Sequence, residues 1–302
     1  MKYFCTLSDK KYIYNGLALL NSLRRWAGDF VLYYLCLDEE TKVAVLKVGG
    51  NDVVAVSISA FENADSQIAA CRNRPEMTQP GTKTVLDSYS QFCWALAPCW
   101  TSYLLDKVVD HDGINYLDSD LFFRQSLEPI FWAMVDRSIG IFKHRHLTSD
   151  HPSGEFNVGM VCFRGDEIGK KCARWWRGVS LNPKNPWAAK YGTCGDQKYL
   201  ELFALLFGQE NIAFLDDSIG HGAPWNYNLY QYDGDYIIWN GKRQLLVFNH
   251  FSHFVPDLEH DTYKVSYGNE WEDCVVHEQV RKWYDEYFAE VKGVRDDLRR
   301  GS

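Results

Sequence analysis

Apolar runs of strand length alternate with helical patterns along the first third of the chain. Residues 2–7 (KYFCTL) predict a short buried strand. The polar stretch SDKKY follows, and YNGLALLNSLRRWA then sets Leu17, Leu20 and Leu23 one turn apart, predicting a helix. FVLYYLCLD (30–38) predicts a second strand, EETKVAVLKVG a short polar helix, and DVVAVSI (52–58) a third strand. Strands alternating with helices predict a parallel sheet with crossover helices. Residues 62–83 are polar, carry Pro75, Pro80 and Gly81, and predict a loop. Residues 85–107 are rich in aromatics and predict a buried helix or helix pair.

GINYLDSDLFF predicts the next strand. IGIFKHR (139–145) and FNVGMVCFR (156–164) predict strands in a second, more mixed half. GDEIGKKCARWWRGV (165–179) and DQKYLELFALLFG (196–208) have helical spacing. IAFLDD, DYIIWN and LLVFNHF predict short late strands, and residues 271–300 an amphipathic, charged helix. There is no internal repeat and no low-complexity linker. The expectation is one α/β domain over 1–302 with a mostly parallel, Rossmann-like central sheet.

Composition narrows the function classes. Hydrophobic residues make up 46% and charged residues 24% of the 302 positions, the profile of a globular protein. The net charge of −8 argues against a nucleic-acid partner, because no basic excess exists to neutralise phosphates. A single bound phosphate group needs only a local site and stays open. The nine cysteines include no CxxC pair and predict reduced thiols packed as small core residues. No basic segment followed by an apolar stretch opens the chain, and no long apolar window occurs, so the expected location is cytoplasmic.

The candidate chemistry centres on NYLDSDLFF (115–123). Ligands in open parallel sheets bind beyond the carboxyl ends of strands, and Asp118-Ser119-Asp120 falls there. A turn at the strand end would bring both carboxylates toward one hard cation, Mg²⁺ or Mn²⁺. Acids flanked by apolar runs are costly unless paired. The competing reading makes one Asp a helix cap and the other a solvated loop residue.

Six segments settle the expectation. In chain order, CTLSDKKYIYNGLALLNSL, FVLYYLCLDEET, NYLDSDLFF, FNVGMVCFR, GDQKYLELF and FNHFSHF resemble the ordered motifs of a nucleotide-sugar glycosyltransferase family. These are the GT-A fold enzymes of the glycogenin and lipopolysaccharide galactosyltransferase type (family 8-like). The resemblance covers residues 2–255. It implies a nucleotide-binding half over 1–125, a donor and acceptor half over 126–260 and a helical tail over 271–302.

The same resemblance implies site residues. Asp118 and Asp120 would bind the metal, with Asp118 also touching the donor's ribose or sugar and Ser119 lying between them. His250 would be the third ligand, with His253 as its competitor. His253 stands where the family carries a glycine after the serine, and the family's following lysine is not evident. Thr6, Leu7 and Ser8 would offer backbone groups to the base, Asp9 would lie near base or ribose, and Tyr12 would stack on the base. Asn157, Gly159, Asp196 and Gln197 would surround the donor sugar. Gln197 matches the residue at the anomeric face in retaining members, and Asp196 is the alternative nucleophile or else a helix N-cap. Lys83 would pair with donor phosphate or sugar. Trp225, Asn226 and Tyr227 are candidates for the cleft wall, and His144, His146 and His151 for an acceptor loop.

The implied function is a metal-dependent transfer of sugar from a nucleotide diphosphate donor, expected to be a UDP-sugar, to a saccharide or glycoconjugate acceptor with retention. Two other readings stay open. A sugar nucleotidyltransferase would carry a glycine-rich loop after its first strand, where this chain has LSDKKY. A catalytically silent nucleotide-sugar-binding protein would keep the fold and bind without turnover. The charged, aromatic C-terminal helix could also meet a membrane surface or a second subunit.

Overall fold

The computed structural model describes residues 1–72, 77–78, 85–108, 112–146, 153–182, 184–191, 195–265 and 277–300. The strands, in chain order, are β1 Lys2–Ser8, β2 Phe30–Cys36, β3 Val53–Ser57, β4 Met77–Thr78, β5 Val85–Leu86, β6 Gly113–Leu117, β7 Leu121–Phe123 and β8 Ile139–Lys143. They continue with β9 Phe156–Arg164, β10 Ile212–Phe214, β11 Gly220–Gly222, β12 Gln231–Asp233, β13 Tyr236–Trp239, β14 Lys242–His250, β15 Phe254–Asp257 and β16 Thr262–Val265.

Seven strands form the central sheet in the order β10-β8-β9-β6-β1-β2-β3. All run in one direction except β9, which is antiparallel to both β6 and β8. This mixed half was expected. The parallel strands are apolar through their length: Phe4, Leu32, Leu35, Ile114 and Leu117 are inaccessible to solvent. Burial on both sheet faces explains why they read as continuous apolar runs rather than alternating ones.

The helix α1 (Ile13–Trp26) and helix α2 (Glu39–Val48) cover the β1–β2–β3 end. Asp38 caps α2 by accepting the Thr41 N–H at 2.8 Å. The 20-residue helix α5 (Ser88–Lys107) packs on β6, β1 and a later helix, Glu167–Leu181. It is buried around most of its circumference, consistent with its uniform apolarity.

Two expectations are corrected. The predicted loop 62–83 contains helix: α3 (Ile58–Ala64) and α4 (Ser66–Cys71) are α-helical. Ser57 and Asp65 cap them, and Phe61, Ile68 and Cys71 bury into the core. The prolines and glycine that suggested a loop lie further on. The predicted helix 196–208 is broken into a 3₁₀ segment, Lys198–Leu202, and a short α-helix, Phe203–Phe207. Gln197 holds the cap position of the first piece without a side-chain capping bond, so Asp196 is not its cap.

A second sheet, ordered β11-β14-β13-β12, carries β7 on β14. The C-terminal helix, Glu278–Arg300, buries Val280, Trp283, Tyr284, Tyr287 and Phe288 against α1 and the aromatic residues Phe122, Phe251 and Phe254. Its apolar face is therefore spent inside the molecule, and not on a membrane surface or a second subunit. Seven cysteines among the described residues are free thiols. No helix among the described residues is long and apolar enough to cross a membrane.

Candidate functional site

A cleft of about 570 Å³ opens at the carboxyl ends of β1 and β6. Strand direction explains its position. Ser8 ends β1, Leu117 ends β6 and Lys143 ends β8, while antiparallel β9 begins with Phe156 and Asn157 at the same edge.

The chain turns at Asp118, as expected, and the Leu121 N–H closes the turn on the Asp118 carbonyl at 3.2 Å. The β7–β14 ladder then decides the partner. Its register pairs Leu121 with His250, and one step beyond it the Phe251 N–H donates to the Asp120 carbonyl at 2.9 Å. A residue 130 positions away in sequence thus lies beside the two acids. His250 Nε2 is 3.1 Å from Asp120 Oδ1 and 3.7 Å from Asp118 Oδ2. One ligand atom from each of Asp118, Asp120 and His250 lies within 4.8 Å of the others. His253 lies outside this cluster.

The imidazole is oriented from behind. Asn157 Oδ1 accepts the Gly159 N–H at 2.8 Å and lies 3.1 Å from His250 Nδ1. The backbone donor fixes which end of the amide is oxygen, so His250 must donate from Nδ1 and turn Nε2 toward the carboxylates. Gly159 is obligatory here for a steric reason. A Cβ at this position would lie 2.5 Å from Asn157 Oδ1 and 2.6 Å from His250 Nδ1. The glycine leaves room for the histidine.

The electrostatics are those of a cation site. Desolvation against the cleft walls pushes the half-buried Asp118 carboxyl up to about 6; the Asp120 charge adds to this, while His250 and the Tyr116 hydroxyl, 2.8 Å away, pull the other way. Burial works against the His250 imidazolium, yet the Asp120 carboxylate outweighs it and raises the group above its ordinary value. A divalent cation is matched by this donor set: two carboxylates and an imidazole with a hydrogen-bonded second nitrogen.

Around the cluster the predicted residues divide. Leu7, Ser8, Asp9, Tyr12, Ser119, Asn157, Asp196 and Gln197 line the cleft. Thr6 does not: it is fully buried inside β1. Lys83 and His151 lie outside the described residues. Trp225 lines the cleft and meets the His250 ring edge-on at 5.3 Å. Asn226 and Tyr227 are interior, with Asn226 donating to the His144 carbonyl at 2.9 Å and Tyr227 bonded to Asn249 at 2.7 Å.

Gln197 is held on three sides. Its Oε1 accepts from Asn157 Nδ2 at 3.1 Å and from the Val158 N–H at 3.3 Å, and its Nε2 donates to the Ser153 carbonyl at 2.9 Å. Asp196 is buried, and burial first, then the Asp118 charge, raises its carboxyl well above the usual range.

Two lining residues, Tyr89 and Trp94, carried no signal in the sequence. Tyr89 reaches from α5 to Asp9, donating to Oδ2 at 2.9 Å. Trp94, one helix turn further on, packs on the backbone of Gly195. That residue has φ 57°, and a Cβ there would lie 2.6 Å from the indole. The tryptophan thereby braces the approach to Asp196 and Gln197. His144 and His146 stack at 4.3 Å beside Trp225. They are carried by Arg145, whose buried guanidinium donates to the Asp216 carbonyl at 2.6 Å and to Gln244 at 2.9 Å, over the Trp239 ring.

No protein-family model matches the chain. The uncharacterized protein YfnF of Bacillus subtilis (strain 168) is 27% identical over 264 residues, which is 82% of this chain and 80% of that protein. The apo form of mouse xyloside xylosyltransferase 1 superposes with TM-score 0.53 and 16% identity, over 82% of this chain and 97% of that one. The galactosyltransferase LgtC, in complex with donor and acceptor sugar analogs, superposes with TM-score 0.54 and 16% identity, over 96% of this chain and 95% of that one. The chain has the GT-A fold. Within that fold, Asp118 and Asp120 occupy the turn after a central strand, at the carboxyl edge where such sheets bind ligands.

Proposed function

We propose that the protein is a glycosyltransferase that uses a divalent cation to hold a nucleotide diphosphate sugar, a UDP-sugar, and passes the sugar to a saccharide or glycoconjugate acceptor. The observation that carries this reading is the Asp118–Asp120–His250 cluster at the edge of a 570 Å³ cleft in a GT-A fold. Three protein ligands leave coordination positions open for diphosphate oxygens. The mix of imidazole and carboxylates favours Mn²⁺ over Mg²⁺, which prefers oxygen and water.

The bound cation would neutralise charge on the departing diphosphate. The chain's own residues do the rest. Asp118, Asp120 and His250 hold the cation; Asn157 orients His250. Leu7, Ser8, Asp9 and Tyr12 form the wall for base and ribose, with Tyr89 fixing Asp9. Asn157, Asp196 and Gln197 face the donor sugar. A Gln197 oxygen already accepting two hydrogen bonds is a poor nucleophile, and a buried Asp196 that favours its neutral form is another. For a retaining transfer both features favour same-face attack over a covalent intermediate, with the leaving phosphate taking the acceptor proton and protein dipoles stabilising the developing charge.

The test is calorimetric titration with UDP, GDP and ADP, each with Mn²⁺ and with EDTA. Tight binding of one diphosphate only with Mn²⁺ is expected. That nucleotide's sugars are then assayed for turnover, with the anomeric configuration of the product read by NMR. No diphosphate binding to folded protein would overturn the reading; binding without turnover of any sugar would leave a silent binding protein.

A further inference from the structure

The Asn157 amide uses all of its hydrogen-bonding positions. Its Oδ1 accepts from the Gly159 N–H at 2.8 Å and from His250 Nδ1 at 3.1 Å. Its Nδ2 has two hydrogens to give. One goes to Gln197 Oε1 at 3.1 Å, and the other to His144 Nε2, also at 3.1 Å. Because the Gly159 N–H fixes Oδ1 as the oxygen, His144 Nε2 must be an acceptor. The His144 ring is therefore neutral and carries its proton on Nδ1. The two histidines on this amide hold opposite roles: His250 donates to it, and His144 accepts from it.

His144 is held on every side. It follows the last residue of β8, Lys143, and is buried. Its N–H donates to the Glu155 carbonyl at 2.8 Å, and its carbonyl accepts from Asn226 Nδ2 at 2.9 Å. Its ring stacks on His146 at 4.3 Å and meets Trp225 edge-on at 5.3 Å. The next residue, Arg145, has φ 58°. A non-glycine residue keeps that left-handed conformation only where its surroundings over-determine it. They do so here: the Arg145 guanidinium is buried 4.2 Å from the Trp239 ring centre and donates to the Asp216 carbonyl and to Gln244. Backbone and ring are thus both fixed, with Nε2 aimed at the amide.

Resting on the function proposed above, we propose that His144 is a positioning residue, whose neutral imidazole holds the Asn157 amide in the one orientation that serves both His250 and Gln197. Without an acceptor at Nε2, one N–H of this half-buried amide loses its partner, and an unmade hydrogen bond costs more than a made one returns. Rotation of the amide to find a new partner would draw Oδ1 from His250 or Nδ2 from Gln197. His144 borders the cleft, but the nitrogen it turns to Asn157 is already engaged there. It acts through that amide, one residue removed from the cation ligands.

Two variants separate this role from packing. His144→Phe keeps a flat ring for His146 and Trp225 but has no acceptor. His144→Gln gives up the ring, yet its Oε1 reaches the place of Nε2. Each is compared with wild type by Tm, by titration with Mn²⁺ alone, and by kcat and KM for the sugar donor that wild type uses. For His144→Phe the expected result is Mn²⁺ affinity weaker by about three- to tenfold, below the range for a direct outer-shell partner. Its kcat should fall by about tenfold with KM within about twofold, the pattern of a lost transition-state arrangement. His144→Gln should restore both to within about threefold of wild type, despite the lost ring. Wild-type behaviour of His144→Phe would overturn the proposal. So would the reverse ranking with a Tm lowered only in His144→Gln, which would make the ring a packing element. A raised KM with unchanged Mn²⁺ affinity and kcat would make His144 a ligand contact, and also overturn it. If wild type binds Mn²⁺ but transfers no sugar, the function falls while the Mn²⁺ ranking of the two variants still decides this inference. If wild type binds no Mn²⁺, the cation site and the inference fall together.

Discussion

Asn157 Oδ1 and His250 Nδ1, 3.1 Å apart, join the antiparallel strand β9 of the central sheet to β14 of the second sheet. The contact sets the tautomer of the only nitrogen ligand in the cluster. It also links that ligand to Gln197, because Asn157 Nδ2 donates to Gln197 Oε1 at 3.1 Å. One amide therefore positions the His250 imidazole and the Gln197 side chain together.

Removing Asn157 should uncouple them. Asn157→Ala is expected to weaken Mn²⁺ affinity by about 10- to 100-fold, the usual range for a lost outer-shell partner. Direct Mn²⁺ titration of the purified variant is the check, and an unchanged affinity would show that the imidazole needs no orienting group.

The cluster itself should be more sensitive. Asp120→Ala and His250→Ala are each expected to lower Mn²⁺ affinity by more than about a hundredfold, beyond the outer-shell range. His253→Ala should leave metal affinity nearly unchanged, since that residue lies outside the cluster. The reverse ranking of the two histidines, in the same titration, would move the third ligand to His253.

Cation binding should fall with acid. Asp118, pushed up to about 6, and His250, raised above its ordinary value, must both lose a proton before they can ligate. Mn²⁺ affinity is expected to be near its plateau at pH 8, and to drop steeply below about pH 6, with proton release detectable as a buffer-dependent enthalpy. An affinity flat from pH 8 to pH 5 would contradict the assignment.

Stability should carry the mark of Asp196. Its carboxyl is raised well above its unfolded value, so the folded state binds the extra proton. The sign follows: this contribution to stability is fully present below the unfolded value near 4, and is lost as pH rises through the folded value. Asp196→Asn removes the ionisation. In EDTA, the Tm of the variant relative to wild type should rise from pH 4 to pH 8. A difference independent of pH would place the native carboxyl at its ordinary value.

The local pattern was enough to locate the elements that build the site. Buried parallel strands show as the apolar runs KYFCTL and FVLYYLC because both of their faces are covered. The turn at Asp118-Ser119-Asp120 is legible because two acids between INYL and LFF can be tolerated only at a strand end. Helix in 58–71 was missed: its caps and three buried apolar residues were outweighed by the prolines that follow. The break within 196–208 was missed because 3₁₀ and α segments share nearly the same apolar spacing.

What the amino-acid sequence determined by itself is therefore the sheet class, the acidic turn and the order of motifs, all features of short-range spacing and turn chemistry. Tertiary structure alone decided which side chains converge. The β7–β14 register brings His250, and not His253, to the acids. The β6–β9 pairing brings Asn157 and Gly159 behind it, the Asp118 N–H donating to the Gly159 carbonyl at 2.8 Å. Helix packing lays Tyr89 on Asp9 and Trp94 on Gly195. These contacts join residues up to 132 positions apart, and no local period encodes them, because strand register and helix docking are settled only when the whole core closes.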